Sequence, residues 1–382
     1  MRLAVYTDYT YHRLDDVVYA ERAFALFIDE LAEKVDRLVL TGRLDPRPRA
    51  ARYRLTEQVE FVPMPFYETI TRPLKAWRQM LASLRVFWRV LDDVDAVWVL
   101  GPNPLALLYA VEARMRRRTV ALGVRQNTRE YLRSRHPTRR WIHVAGALLE
   151  GAWRLMARTG TPIVVVGPQI AEQYPDAKRL LTVAISLVRE ADLGGAPPRD
   201  YAGELEILSV TRIEADKNPL MLADVLARLN AVDPRWRLTV CGEGPLKDDL
   251  AQRLEQLGVA DRARLRGYVP LDGGLLEAYR NAHVLLHTSW TEGLPQILFE
   301  AFAAALPAVM SDVGGTRSAV GDAVELVAPG DLDAAVAALE LVAGDAARRE
   351  QRVAVGVAHV RDHTLEAETA RVAEFIAAAA AR

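Results

Sequence analysis

Short apolar runs alternate with amphipathic stretches along the whole chain. Leu3–Tyr6, Leu38–Leu40, Ala96–Leu100, Thr119–Val124 and Ile163–Val166 read as buried strands, with helical periodicity between them near 18–34, 73–91, 104–116 and 138–158. The rhythm then restarts. Glu206–Val210, Leu238–Cys241, Leu265–Tyr268, Val284–His287 and Ala308–Ser311 read as strands, and helices are expected near 218–230, 246–257, 273–281, 295–304 and 332–343. Alternating strand and helix predicts parallel sheets covered on both faces, and two such series predict an α/β chain of two doubly wound, Rossmann-like domains. Three glycines and two prolines between Asp192 and Glu204 mark the seam. The expected domains are therefore 1–190 and 191–364. A final helix, 365–380, follows no strand and is expected to pack back on the first domain.

Composition is that of an ordinary globular protein, 51% hydrophobic and 26% charged. The single cysteine, Cys241, excludes an intrachain disulfide, makes a zinc cluster implausible and fits a reducing cytoplasm. No apolar run reaches the ~18 residues that suggest a membrane-spanning helix, and the N-terminus is too short and polar for a signal peptide. The net charge of −1 hides an asymmetry: residues 1–190 carry 30 Lys and Arg against 21 Asp and Glu, leaving 19 against 29 in the remainder. A basic first half favours an anionic partner such as phosphate or the acidic inner face of a membrane; solvated surface charge accounts for it equally. Trp77, Leu81, Leu84, Trp88 and Leu91 form a stripe at helical spacing with Lys75, Arg78, Arg85 and Arg89 interspersed. It reads as a core-facing helix, with a membrane-resting helix as the sharper alternative.

In doubly wound sheets ligands bind at the carboxyl ends of strands, so residues just after strands carry the chemistry. Ser289-Trp-Thr-Glu292-Gly293-Leu294-Pro295-Gln296-Ile-Leu-Phe-Glu300 follows a strand and opens a helix. Pro295 suits a first helical turn, and the free N–H groups there attract phosphate. The bland reading makes Glu292 a first-turn acid and Glu300 a surface residue. Val210-Thr-Arg212-Ile-Glu-Ala-Asp-Lys217 offers a guanidinium and an ammonium to a diphosphate, or a salt-bridged loop with Glu214 and Asp216. Cys241-Gly242-Glu-Gly-Pro lacks the third glycine of a dinucleotide loop and serves equally as a plain turn. Arg266-Gly-Tyr268-Val269-Pro could meet a nucleobase edge, and Ser311-Asp-Val-Gly-Gly-Thr316 is a glycine-rich loop. Asp92-Asp-Val-Asp95 imitates a metal-binding acid motif but precedes a strand, the wrong end of a sheet for a ligand.

Taken together, VTRIEADKNP, CGEGPLKDDL, RGYVP, TEGLPQILFEA and SDVGG resemble, in order and spacing, the family 4 retaining glycosyltransferases of the GT-B fold over about residues 205–330. The resemblance implies two Rossmann-like domains facing a central cleft, and transfer of a sugar from a nucleoside diphosphate, UDP or GDP, with retention of configuration. Arg212 and Lys217 would bind and stabilise the leaving diphosphate, Glu292 would contact sugar hydroxyls, and Glu300 would hold the ribose. Backbone around Gly293, Leu294, Pro295 and Gln296 would meet phosphates and sugar, with Gly242, Tyr268 and Val269 completing the donor site. No divalent metal and no cofactor is implied, because the cationic residues do the metal's work. No nucleic acid is expected as a partner.

The first half resembles the family in architecture only. Where the family often has a glycine pair after the first strand, this chain has Asp8-Tyr9-Thr-Tyr-His-Arg13. Where it often has a histidine after the fourth strand, this chain has Arg125-Gln126-Asn127. These six named positions are the acceptor-side candidates, and the acceptor itself is not named by the sequence. Two other enzymatic readings stay open, a sugar-nucleotide epimerase of related fold and a NAD-dependent oxidoreductase. So does a non-catalytic subunit that binds donor without turning it over.

Overall fold

The computed structural model describes the chain except residues 69–72, 129–131, 133–138, 195–197, 293–294 and 382, together with the side chains of 73–76 and 272. The chain forms two compact units, Met1–Leu187 with Leu365–Arg382, and Val188–Thr364.

In the first unit the strands are β1 (Arg2–Leu14), β2 (Val17–Ala20), β3 (Arg37–Leu44), β4 (Tyr53–Arg54), β5 (Val59–Met64), β6 (Ala96–Gly101), β7 (Thr119–Val124), β8 (Ile163–Val166) and β9 (Leu180–Val183). A parallel series runs β5-β3-β1-β6-β7-β8-β9. Alternation of side chains across the pleat sends Ala4 and Tyr6 to one core and Leu3 and Val5 to the other, so the strand reads as an unbroken apolar run. The first core lies under α2 (Pro73–Val90), α3 (Pro104–Met115) and α4 (Arg140–Arg158). The second lies under α1 (Phe24–Ala32).

Two expectations for this half change. The stretch from Asp8 is not a loop: β1 continues to Leu14, with a register shift between Tyr6 and Thr10, and turns back antiparallel into β2. Asp15 and Asp16 make that turn at positive φ, which aspartate tolerates better than most residues. The stripe on α2 is core-facing only towards its end. Leu91, just beyond the helix, is fully buried, whereas Trp77 and Leu81 are about half exposed.

In the second unit β10 (Leu205–Val210), β11 (Trp236–Cys241), β12 (Ala263–Gly267), β13 (Val284–His287), β14 (Ala308–Ser311) and β15 (Glu325–Val327) form a wholly parallel sheet in the order β12-β11-β10-β13-β14-β15. The order reverses between β10 and β13, which places the switch point, and hence the expected ligand crevice, at the carboxyl ends of these two strands. Helices α5 (Leu220–Asn230), α6 (Lys247–Gln256), α7 (Leu276–Asn281), α8 (Ile297–Ala303), α9 (Leu332–Gly344) and α10 (Ala346–Arg361) cover it. The last helix, α11 (Leu365–Ala380), belongs to the first unit and packs against α1 through Val372 and Ile376.

Candidate functional site

Beyond β10 the chain enters a short 3-10 turn, Ala215–Lys217, and Asn218 closes it in the left-handed region at φ 50°. This swings Lys217 back to the strand end. Beyond β13, Thr288 donates to the carbonyls of Lys217 and Asn218, both at 3.1 Å, and the Trp290 amide donates to the Asp216 carbonyl at 2.9 Å. The two post-strand loops are thus sewn together at the switch point.

Lys217 Nζ lies 2.6 Å from Glu292 Oε1. The same oxygen accepts from Ser289 Oγ at 2.8 Å and lies 2.9 Å from His287 Nε2. Burial pushes the Glu292 carboxyl up, but the His287 contact and the Lys217 ammonium outweigh it and hold it at about 2. Arg212 is the exposed counterpart. It pairs with Glu214 and, at 3.2 Å, with Asp216, the salt-bridged loop weighed above as the bland alternative. A guanidinium in that position is held ready, yet solvent-screened.

Glu300 is not a surface residue. It is 7% exposed, its Oε2 has no hydrogen-bond partner among the described residues, and burial pushes its carboxyl up against the opposing contact of the Tyr279 hydroxyl. Pro295 precedes the helix rather than opening it, since α8 starts at Ile297 after Gln296 and is only seven residues long. Gly293 and Leu294 lie outside the described residues. Tyr268 is exposed at the end of β12, with Val269 following it.

Gly242 has a nearer task than a ligand. A Cβ there would stand 1.7 Å from the Thr211 carbonyl oxygen, and one on Gly244 would stand 2.2 Å from that of Ile213. The loop after β11 is threaded against the loop after β10, with the Ile213 amide donating to Glu243 at 3.0 Å. The close approach that these glycines permit is taken up by backbone.

The acceptor-side candidates fall into five settings within the first unit. Asp8 accepts from the Tyr67 hydroxyl at 2.5 Å and lies 3.2 Å from Arg43 Nε. Burial pushes its carboxyl up, opposed by Arg43 and Tyr67. Tyr9 and Arg125 meet each other, with Arg125 donating to the Tyr9 hydroxyl. Asn127 lines a cavity of about 560 Å³ with Thr128, His143, Glu150 and Arg154. Gln126 is exposed, and the Arg13 Nε is buried without a partner among the described residues. The acids before β6 are structural: Asp95 pairs with Arg2 at 2.7 Å and Asp92 with Arg116.

Sequence reasoning gave no role to His287, Ser289 or Tyr279. The first two had a signal, polar residues closing an apolar strand on the carboxyl side. Tyr279 had none, because its neighbour Glu300 is set by tertiary packing.

Residues 197–355 match the family model of the glycosyl transferases group 1. The gpi3 subunit of phosphatidylinositol N-acetylglucosaminyltransferase from Schizosaccharomyces pombe is 30% identical over 138 residues, 36% of this chain and 30% of that one. Glycogen synthase of Mycobacterium tuberculosis is 30% identical over 186 residues, 48% and 45% respectively. The chain thus spans less than half the length of these two curated relatives. Among solved structures, sucrose-phosphate synthase from Thermosynechococcus elongatus superposes with a TM-score of 0.71 at 16% identity over 98% of both chains. HepE from Anabaena, solved with UDP and glucose, gives 0.68 at 15% over 99% of both. At such identities the likeness speaks for the fold, which is that of the GT-B glycosyltransferases. The likeness to the glycosyl transferases group 1 is thus carried by residues 197–355, less than half of the chain.

Proposed function

We propose that the protein is a retaining, metal-independent glycosyltransferase of family 4 that takes its sugar from a nucleoside diphosphate, with UDP or GDP as carrier. The observation that carries this reading is the convergence of Lys217, Glu292 and Arg212 at the switch point of the second sheet. A diphosphate arriving there competes with Glu214 and Asp216 for Arg212 and meets the Lys217 ammonium, so negative charge developing on the leaving group is stabilised by fixed cations. Glu292, kept ionised, is suited to accept hydrogen bonds from sugar hydroxyls. Glu300 offers an unpartnered carboxyl oxygen to the ribose. The Anabaena relative's UDP and glucose agree with this carrier.

The test is a thermal-shift screen of the full chain against UDP-, GDP-, ADP- and dTDP-sugars in the presence of chelator, since a ligand that binds only the folded state raises its stability. One carrier is expected to stabilise the protein, and transfer with that donor is expected to persist without divalent metal. No response to any carrier removes the reading. Glu300 adds a sign. Its carboxyl is raised, so donor affinity is full above that raised pKa and falls as pH is lowered through it. Glu300→Gln should weaken donor binding, lose this pH dependence, and be at least as stable as the parent at neutral pH. A titration slope that survives in Glu300→Gln assigns the proton elsewhere.

A membrane contact is favoured by a specific surface. On α4, Trp141, Val144, Leu148 and Leu155 fall within an arc of about 60° at 100° per residue and are all more than half exposed. Leu108, Val111 and Met115 form a second exposed row on α3, which packs against both α2 and α4. Arg78, Arg85, Arg89, Arg140, Arg154 and Arg158 lie on the same helices. We infer that this face rests on an anionic lipid surface, where apolar side chains enter the interface and arginines meet headgroups. No described helix is long and apolar enough to cross a membrane. Cosedimentation with vesicles containing phosphatidylserine is expected, and it should be lost in Trp141→Glu/Leu148→Glu. Dimerisation without lipid binding would assign the face to a second copy instead.

A further inference from the structure

Arg125 leaves β7 and turns its guanidinium onto Phe24, with Cζ 4.0 Å from the ring centre and 5.4 Å from that of Tyr9. It donates to the Tyr9 hydroxyl, while its Nε is buried without a hydrogen-bond partner among the described residues. A second guanidinium, Arg22, approaches the same Tyr9 ring at 6.0 Å from the turn before α1. Phe24 is the first residue of α1, so both cations gather at that helix's amino end.

Three terms there are adverse to a cation, against the favourable contact with Tyr9. Burial removes solvation, a second cation stands close by, and the helix end carries the positive pole of the macrodipole. Burial and Arg22 push the Arg125 guanidinium down accordingly. The usual remedies are missing. The first turn of α1 holds no acidic residue and its N-cap, Ala23, offers no side chain. No carboxylate among the described residues pairs with Arg125 or Arg22. The acid nearest in sequence, Glu21, is held by Arg49 and lies 3.9 Å from His12. Two aromatic faces supply only the modest stabilisation of cation–π contacts. An arrangement of this kind is relieved by an anion that brings oxygen acceptors to the guanidinium groups, since the Ala25 and Leu26 amides already donate to the Arg22 and Ala23 carbonyls.

We infer that Arg125, Arg22 and the amino end of α1 form a binding site for a compact anionic group, a carboxylate or phosphate, carried by one of the transfer substrates. Calling the ligand a substrate rests on the proposed transferase activity; the anion site itself does not. The group belongs either to a uronic-acid donor sugar or to an acidic acceptor.

The experiment titrates inorganic phosphate, at constant ionic strength, into the full chain carrying Arg212→Ala/Lys217→Ala, in which the candidate diphosphate site is disabled. Phosphate is expected to raise the melting temperature saturably. Adding Arg125→Met should weaken that response at least about tenfold, the scale of one lost charged hydrogen bond. The Arg125→Met protein without phosphate should melt no lower than its parent, because a buried unpaired charge has gone. An equal phosphate response in both, or none above the chloride control in the parent, overturns the site. Should Arg125→Met fail to fold, Arg22→Gln on the exposed turn provides the same comparison: a several-fold loss is expected, and unchanged affinity overturns the inference. In the wild-type protein, UDP-glucuronate is then compared with UDP-glucose, and glucose 6-phosphate with glucose in the presence of UDP. A preference for the anionic member that Arg125→Met abolishes identifies the source, and absence of preference in both pairs overturns the substrate assignment. Because the phosphate titration is run without Arg212 and Lys217, failure of nucleotide-sugar binding leaves it readable.

Discussion

Lys217→Ala is expected to slow sugar transfer by about two to three orders of magnitude, the range found when one preorganised donor to a developing charge is removed. Nucleoside-diphosphate affinity should fall with it, as read by calorimetry beside initial rates. Arg212→Ala should cost far less, about tenfold. The difference follows from environment: the Lys217 side chain is 11% exposed and aimed at Glu292, whereas that of Arg212 is 55% exposed and shared with two acids. Lys217→Arg should not restore the rate, since a planar fork cannot occupy the space of a point charge. The same variant has a signature away from catalysis. Glu292 is depressed below its unfolded value of 4.5, so it stabilises the fold above that pH and the contribution disappears as pH falls towards about 2. Without Lys217 the depression shrinks, and wild type and variant should converge in stability over that acid range. Unchanged rate and unchanged affinity in Lys217→Ala would take this side chain out of the diphosphate site.

Gly242→Ala should be the most damaging single methyl group in the second unit, destabilising it by about 3 kcal/mol or more. Ordinary overpacking costs about 1–3 kcal/mol because side chains yield. Here the obstacle is the Thr211 carbonyl at 1.7 Å, backbone fixed on both sides by the β10–β11 ladder. Denaturant melts would show it, with Gly151→Ala as the contrast. Gly151 sits in α4 with open space around it, and alanine there should stabilise by about 0.5–1 kcal/mol. A Gly242→Ala protein as stable as wild type would mean that the two loops separate readily.

These cases show where the sequence was legible. Runs such as Leu3–Tyr6 and Leu238–Cys241 declared themselves because strands buried on both faces are continuously apolar. The β2 hairpin was hidden because its turn uses Asp15-Asp16 rather than a glycine pair. Helix α10 was hidden by polarity: its fully buried residues are Gly356, whose missing side chain makes room for Phe302, and Val360. Arg212, Lys217 and Glu292 were found as candidates from their places after strands. Their pairing across 75 residues, and the roles of His287 and Ser289, come from strand order, which periodicity does not encode. Glu300 shows the limit most plainly. Spacing put it beyond a helix start, and only packing against Tyr279 made it a buried acid.

The return of α11 to the first unit orders events during synthesis. Residues 188–364 form a self-contained body that is complete on the ribosome before residues 365–380 exist. The apolar ridge of α1, and the faces of β6, β7 and β9 that α11 covers, stay unsheltered until Val372 and Ile376 arrive. The earlier-made unit is therefore the later to finish folding, and a nascent chain that stalls after residue 364 presents sticky surface at its beginning, not at its end.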